Sequence, residues 1–253
     1  MISELREEVI LNTLNENGVL YTQEIMKKCD VSEITIRRDL AKLESKGLLI
    51  RTHGGAVKSK VTDILFTYDH KINLNRQSKE YVSRLAVNYI NEGDVLFIDC
   101  GSTLSLLIPH LARFDFLTVI TNSLPVISEF IVFPNIRSLL IGGEIEKKRK
   151  AIYGSIAVNN IGLYHANKAF IGADGISLKN GLSSYDEKDA AITQKMIESS
   201  DEVFLLCDSS KIEKNSFIKL APITAIHHLI TDKQISPDQL RLYRDYGVDV
   251  IIE

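Results

Sequence analysis

Over roughly the first sixty residues apolar positions recur at helical spacing. Beyond them they come in runs of four to six, each closed by Gly, Asp, Asn or Ser. Ile2, Leu5, Val9, Ile10 and Leu14 fall on one face of a helix over residues 1–16, which Gly18 ends. Thr22 stands where an N-cap belongs and opens a second helix through about Lys28, with Ile25 facing inward. Cys29-Asp30-Val31 makes a turn, Ser32 caps a third helix to about Ser45, and Gly47 is its natural stop. Two helices joined by a tight turn form a helix-turn-helix. Leu48-Leu49-Ile50-Arg51 then reads as extended, Thr52-His53-Gly54-Gly55 as a turn and Ala56-Val57-Lys58 as the returning arm of a β-wing.

From residue 63 to about 92 the chain is polar and mostly helical, with Val82, Leu85, Ala86, Tyr89 and Ile90 as an apolar stripe. Buried-strand candidates follow at 95–99, 117–121, 138–142, 169–172, 203–208, 229–231 and 248–252. Helical segments at 104–111, 125–130 and 188–199 lie between them. Short β-rich runs alternating with helices predict a doubly wound, largely parallel sheet. The expected class is therefore α/β. A winged helix-turn-helix over residues 1–57 and a linker over 58–75 precede a larger Rossmann-like domain over 76–253.

Composition narrows the possibilities. With 45% hydrophobic and 25% charged residues the chain is neither disordered nor low in complexity. Its beginning is acidic and helical in pattern, unlike a signal peptide, and no apolar run approaches the roughly 18 residues of a membrane helix. Three cysteines far apart, with no C-x-x-C pair and no H-E-x-x-H, predict reduced thiols and neither a metal site nor a disulfide framework. The net charge of −3 excludes a polybasic nucleic-acid binder, so any DNA contact must be local. Residues 31–60 carry seven basic side chains against three acidic ones, a local +4. With Ile36, Leu40 and Leu43 buried, the third helix turns Thr35, Arg38 and Lys42 outward and Arg37 onto the flank. Arg reads guanine, Thr touches a thymine methyl, and a flanking Arg suits phosphate. Arg38 and Lys42, like charges one turn apart, repel unless a polyanion lies between them.

In parallel sheets ligands bind beyond the carboxyl ends of the strands, and here those ends are polar. The first leads into Asp99-Cys100-Gly101-Ser102-Thr103 before a helix, whose free N–H groups and hydroxyls suit an anion such as phosphate. The others end in Thr121-Asn122-Ser123, Gly142-Gly143, Gly172-Ala173-Asp174-Gly175 and Asp208-Ser209-Ser210-Lys211, whose lysine can balance a phosphate. The pattern predicts a pocket for a small, phosphorylated, hydroxyl-rich ligand.

The run Val31-Ser32-Glu33-Ile34-Thr35-Ile36-Arg37-Arg38-Asp39-Leu40, with Leu43-Glu44, Gly47-Leu48 and Arg51-Thr52-His53-Gly54-Gly55-Ala56, resembles the signature of the DeoR family of bacterial transcription regulators. Asp99 with Gly101-Ser102-Thr103, Thr121-Asn122-Ser123, Gly142-Gly143, Lys168 to Gly172 with Asp174-Gly175, Gly181-Leu182-Ser183 and Asp208 to Lys211 are similar, in order, to that family's effector-sensing domain. The resemblance implies a sensor fold like ribose-phosphate isomerase, glucosamine-phosphate deaminase and coenzyme A transferases. It implies a cytoplasmic homo-oligomer, dimer or tetramer, on double-stranded operator DNA, usually a repressor released by a phosphorylated sugar, with no cofactor. Contacts to DNA are implied for Ser32, Thr35, Arg37, Arg38, Lys42, Arg51 and His53. Contacts to the effector are implied for Asp99, Gly101, Ser102, Thr103, Asn122, Gly142, Gly143, Asp174 and Lys211. Ser183-Ser184-Tyr185 departs from the Thr-Thr or Thr-Pro common in the family, which leaves the effector's identity open. The rival is a sugar-phosphate isomerase. Against it, the isomerases' Gly-Ala-Asp-Glu run reads Gly172-Ala173-Asp174-Gly175, without the glutamate base.

Overall fold

The computed structural model describes residues 3–45, 48–52, 54–57 and 68–253, and the chain divides into two compact units, Met1–Phe66 and Thr67–Glu253. His53 and residues 58–67 of the expected linker lie outside the described residues.

The first unit runs α1 (Ser3–Asn17), β1 (Val19–Tyr21), α2 (Thr22–Cys29), α3 (Glu33–Ser45), β2 (Ile50–Thr52) and β3 (Gly55–Val57). Ile10 and Leu14 of α1, Ile25 of α2, and Ile36, Leu40 and Leu43 of α3 converge in one core with Leu20 and Ala56. Ser32 does cap α3, its Oγ accepting from the Thr35 amide. Thr22 is not a cap. It is the first residue of α2 and buried, and its amide donates to the Gly54 carbonyl at 2.9 Å, so the wing satisfies the helix start instead. The wing is three-stranded, because β3 pairs antiparallel with β1 as well as β2. Gly55 is obligatory there: a Cβ would stand 2.0 Å from the Leu20 carbonyl oxygen.

The second unit opens with α4 (Tyr68–Asn73), in a stretch read from sequence as linker, and α5 (Arg76–Ala86). Then come β4 (Val95–Ile98), α6 (Ser102–Ser105), α7 (Ile108–Leu111), β5 (Leu117–Thr121), α8 (Leu124–Phe130) and β6 (Ile136–Leu140). A hairpin of β7 (Glu144–Glu146) and β8 (Ala151–Tyr153) leads to α9 (Ser155–Ile161) and β9 (Ala166–Ile171). The rest is β10 (Gly175–Ser177), β11 (Gly181–Ser184), α10 (Glu187–Glu198), β12 (Ser200–Leu206), β13 (Ile218–Ala221), β14 (His228–Ile230), α11 (Pro237–Asp245) and β15 (Asp249–Ile251).

The seven strands expected from apolar runs form one parallel sheet in the order β15-β14-β12-β9-β4-β5-β6. Alternate side chains enter two cores. Leu96, Ile98, Phe170, Phe204 and Leu206 pack on one face; Phe97, Ala169, Ile171, Val203 and Leu205 pack on the other. Burial on both faces explains why these strands read as continuous apolar runs. A second sheet, antiparallel in the order β10-β11-β13, was not expected. The chain builds outward from β4 through β5 and β6, then returns to the other side of β4 with β9. The carboxyl ends of β4 and β9 are thus the topological switch point, where such sheets open a crevice.

Candidate functional site

The outer face of α3 is only partly free. Its buried stripe is Ile36, Leu40 and Leu43, as expected, joined by Asp39, whose carboxylate takes two hydrogen bonds from Arg6 of α1 at 2.7 and 3.2 Å. Arg37 is exposed and pairs with Glu33 at 2.6 Å. Lys42 is half exposed but ion-paired with Glu7 of α1, so its charge already has a counter-ion and the expected repulsion with Arg38 is largely relieved. The Ser32 and Thr35 hydroxyls meet at 3.0 Å. Arg51, on the exposed strand β2, lies 3.7 Å from Glu44. Arg38 is exposed and forms no hydrogen bond or ion pair among the described residues.

In the second unit, the loop after β4 and the loop after β9 enclose a polar pocket. Asp99, Gly101, Ser102, Thr103, Asp174 and Lys211 line it, so six of the nine effector residues implied by the sequence come together. Asn122, Gly142 and Gly143 are not in the lining. Asn122 is fully buried and exchanges hydrogen bonds with the backbone of Ile152, fixing β8 beside the end of β5. At Gly143 a Cβ would come within 2.6 Å of the Tyr153 carbonyl oxygen, which explains the glycine by close packing.

The remaining pocket chemistry comes from residues the motifs did not point to. Lys71 of α4 binds Asp174 at 2.7 Å. Arg149 binds Asp189 at 2.7 Å, and Tyr153 donates to Asp189 at 3.0 Å. Lys79 of α5 donates to the Ser102 hydroxyl at 3.0 Å and to the Lys71 carbonyl. Lys211 donates to the Ala173 carbonyl at 2.6 Å. Ser184, at the point of departure from the family, reaches Asp189 at 3.3 Å and Asp174 at 3.5 Å. One signal for Lys79 was legible: it shares the inward face of α5 with Val82, Ser83 and Ala86.

Burial and mutual repulsion set the protonation of this cluster. Burial, with Lys211 and Lys71 nearby, pushes Lys79 down to about 7. Burial also lowers Lys71, against the pull of Asp174. Asp99 is pushed up to about 6 by burial and the Asp189 charge, despite hydrogen bonds from the Cys100 amide, Thr193 and the Gly172 amide. Burial alone would raise Asp174, but Lys71, Lys211 and Arg149 outweigh it and hold the carboxyl well below the usual range. Asp99, Cys100 and Asp189 bring three potential metal ligands within 4.8 Å of one another. Their oxygens already accept from Thr193, Arg149, Tyr153 and backbone amides, so the trio acts as a hydrogen-bond hub. Three basic side chains, Lys71, Arg149 and Lys211, thus line the pocket beside the Asp99, Asp174 and Asp189 carboxylates, a set that can meet an anion and hydroxyl donors together.

Comparison with known proteins agrees with both halves. Residues 6–62 match the DeoR-like helix-turn-helix domain, and residues 74–233 match the DeoR C terminal sensor domain. The lactose phosphotransferase system repressor of Lactococcus lactis is 36% identical over 249 residues, 97% of each chain. The L-fucose operon activator of Haemophilus influenzae is 34% identical over 241 residues, covering 94% of this chain and 95% of its own. The transcriptional repressor GlcR of Bacillus subtilis is 33% identical over 252 residues, 100% of this chain and 97% of its own. Among the described residues no helix is long and apolar enough to cross a membrane. A DNA-binding helix-turn-helix followed by a sensor domain makes this a transcriptional regulator rather than an enzyme, and the chain belongs to the DeoR family.

Proposed function

We propose that the chain is a cytoplasmic repressor of a sugar-metabolism operon, released from its operator when a phosphorylated sugar fills the pocket at the β4–β9 crevice. The observation that carries the effector reading is the convergence of Lys71, Lys211 and Arg149 with the Ser102 hydroxyl around one cavity, with Lys79 buried behind Ser102 and bonded to it. A sugar phosphate supplies what that set lacks. Its phosphate takes Lys211 and the Ser102 hydroxyl, which Lys79 supports from behind, and competes for Lys71; its hydroxyls donate to the Asp174 carboxylate that Lys71 gives up. Lys71 sits on α4, the first helix after residues 58–67 and hence on the path of the chain from the DNA-binding unit. Ligand binding that reorders α4 therefore acts on that connection. To shift the protein off DNA the ligand must favour one of two states, by typically about 1–3 kcal/mol of coupling.

On the DNA side, Arg38 is assigned to base edges and Arg37, Arg51, Lys42 and Ser32 to the backbone, with Thr35 at the groove edge. A homo-oligomer, dimer or tetramer, would present paired α3 helices to repeated half-sites.

The test is thermal stability of the purified chain against sugar phosphates, each beside its unphosphorylated sugar. A ligand at about a hundred times its Kd should add about 2.7 kcal/mol of stability. The same compound should dissociate the protein from operator DNA, and Lys211→Ala should abolish both effects while leaving operator binding intact. If no phosphorylated compound raises the melting temperature, the sensing half of the proposal is wrong.

A further inference from the structure

Isoleucine 34 is the second residue of α3 and is 79% exposed. A single apolar side chain at a surface is ordinary and is not in itself a site. Three observations set this one apart. With Ile36, Leu40 and Leu43 inward, a turn of about 100° per residue places Ile34 and Arg38 together at the middle of the outer face, one above the other. The other polar groups of that face already have partners within the domain: Ser32 with Thr35, Arg37 with Glu33, and Lys42 with Glu7. Finally, Ile34 lies in the first turn, and it is the N-terminal residues of a recognition helix that contact base edges in a helix-turn-helix. What the middle of that face presents to a major groove, with no internal partner to release, is the Arg38 guanidinium and the branched alkyl group of Ile34.

The major groove presents one apolar feature, the C5-methyl group of thymine. We infer that Ile34 is a specificity-determining residue that reads a thymine methyl beside the base read by Arg38. The inference rests on the assignment of α3 as the recognition helix. Residues four apart on a helix are separated by about 6 Å along its axis, close to two base-pair steps at 3.4 Å per strand position. The thymine should therefore lie within about two base pairs of the position governed by Arg38. An alkyl group covering a methyl has no directional demand, so cytosine, which lacks the methyl at the same place, is the base it discriminates against.

The test uses the full chain to select binding sites from random-sequence DNA duplexes, in parallel with Ile34→Ala and Ile34→Val. Because the side chain is exposed, both variants should melt with the native protein. The native chain should select a thymine that Ile34→Ala no longer requires and that Ile34→Val keeps. Replacing that thymine by deoxyuridine, which removes only the methyl, should weaken native binding about fourfold, the worth of one buried methyl-sized group. The same replacement should leave Ile34→Ala unaffected. Equal binding of thymine and deoxyuridine by the native chain would overturn the inference, as would an Ile34→Ala variant that is uniformly weaker on all duplexes. Failure of the native chain to select any sequence would instead overturn the assignment of α3 on which the inference rests.

Discussion

In the DNA-binding unit Arg37 meets Glu33 at 2.6 Å with both side chains more than half exposed, whereas in the sensor domain Lys71 meets Asp174 at 2.7 Å with both largely buried. The distances are nearly the same and the physics is opposite. An exposed i,i+4 pair contributes about 0.2–0.5 kcal/mol and is screened by salt, so water or a DNA phosphate can replace Glu33 at little cost. A buried pair has lost its hydration, and removing one partner strands the other, typically at about 3–5 kcal/mol. The recognition face can therefore exchange partners freely. In the proposed reading, the pocket does so when an incoming anion takes over the lysine as the carboxylate lets go.

The sharpest way to break this contrast is Asp174→Asn. With Lys71 left buried beside a neutral amide, stability should fall by about 3 kcal/mol in urea unfolding at pH 7. A loss near that of an exposed pair would show that the pocket charges are not committed to one another.

Lys79→Met tests the same idea through pH. A lysine held near 7 in the folded chain but near 10.4 when unfolded penalises the native state fully below pH 7. Stability from this group rises as pH climbs from 7 to about 10, because the unfolded state there binds the extra proton. The stability of Lys79→Met relative to the native chain should accordingly fall by about 2.7 kcal/mol between pH 6 and pH 9. A constant difference across that range would mean Lys79 is solvated. Asp99 works in the other direction, since a carboxyl raised to about 6 penalises the native state above that pH and the penalty fades as pH falls toward 4.

On the exposed side the effects should be smaller and should sort by target. Arg38→Ala should cost about 1–3 kcal/mol of discrimination at one base pair, read from competition between the selected site and its single-base variants. Arg37→Ala should weaken all duplexes alike and reduce the slope of log K against log salt by about 0.9, the signature of one lost phosphate contact. Equal losses on specific and nonspecific DNA for both variants would erase the division of labour between them.

Much of the fold was legible because it repeats. The seven strands of the large sheet announce themselves as unbroken apolar runs, since both their faces are buried. The three helices of the first unit follow from 3.6-residue spacing and their stops. The strands that went unread, β1, β7, β8, β10, β11 and β13, are three or four residues long and carry too few positions to show any period. Thr22 looked like a cap because its residue type suits one, but the wing carbonyl of Gly54 had already met the need.

The sequence alone determined the two-part organisation, the inward stripe of α3, the outward Arg38, and the glycines and hydroxyls at the ends of β4 and β9. Each of these follows from local periodicity or from what a residue type allows the backbone to do. Tertiary structure alone decided which charges share the pocket. Positions 71, 149, 174, 189 and 211, and Lys79 behind Ser102, have no sequence spacing in common, and they meet only because the switch point between β4 and β9 folds their elements around one crevice. It also decided that Asn122 is buried against Ile152, that Gly143 packs closely on Tyr153, and that Lys42 already has Glu7 beside it. Partnership between distant side chains depends on burial and distance, and neither is a property of local sequence.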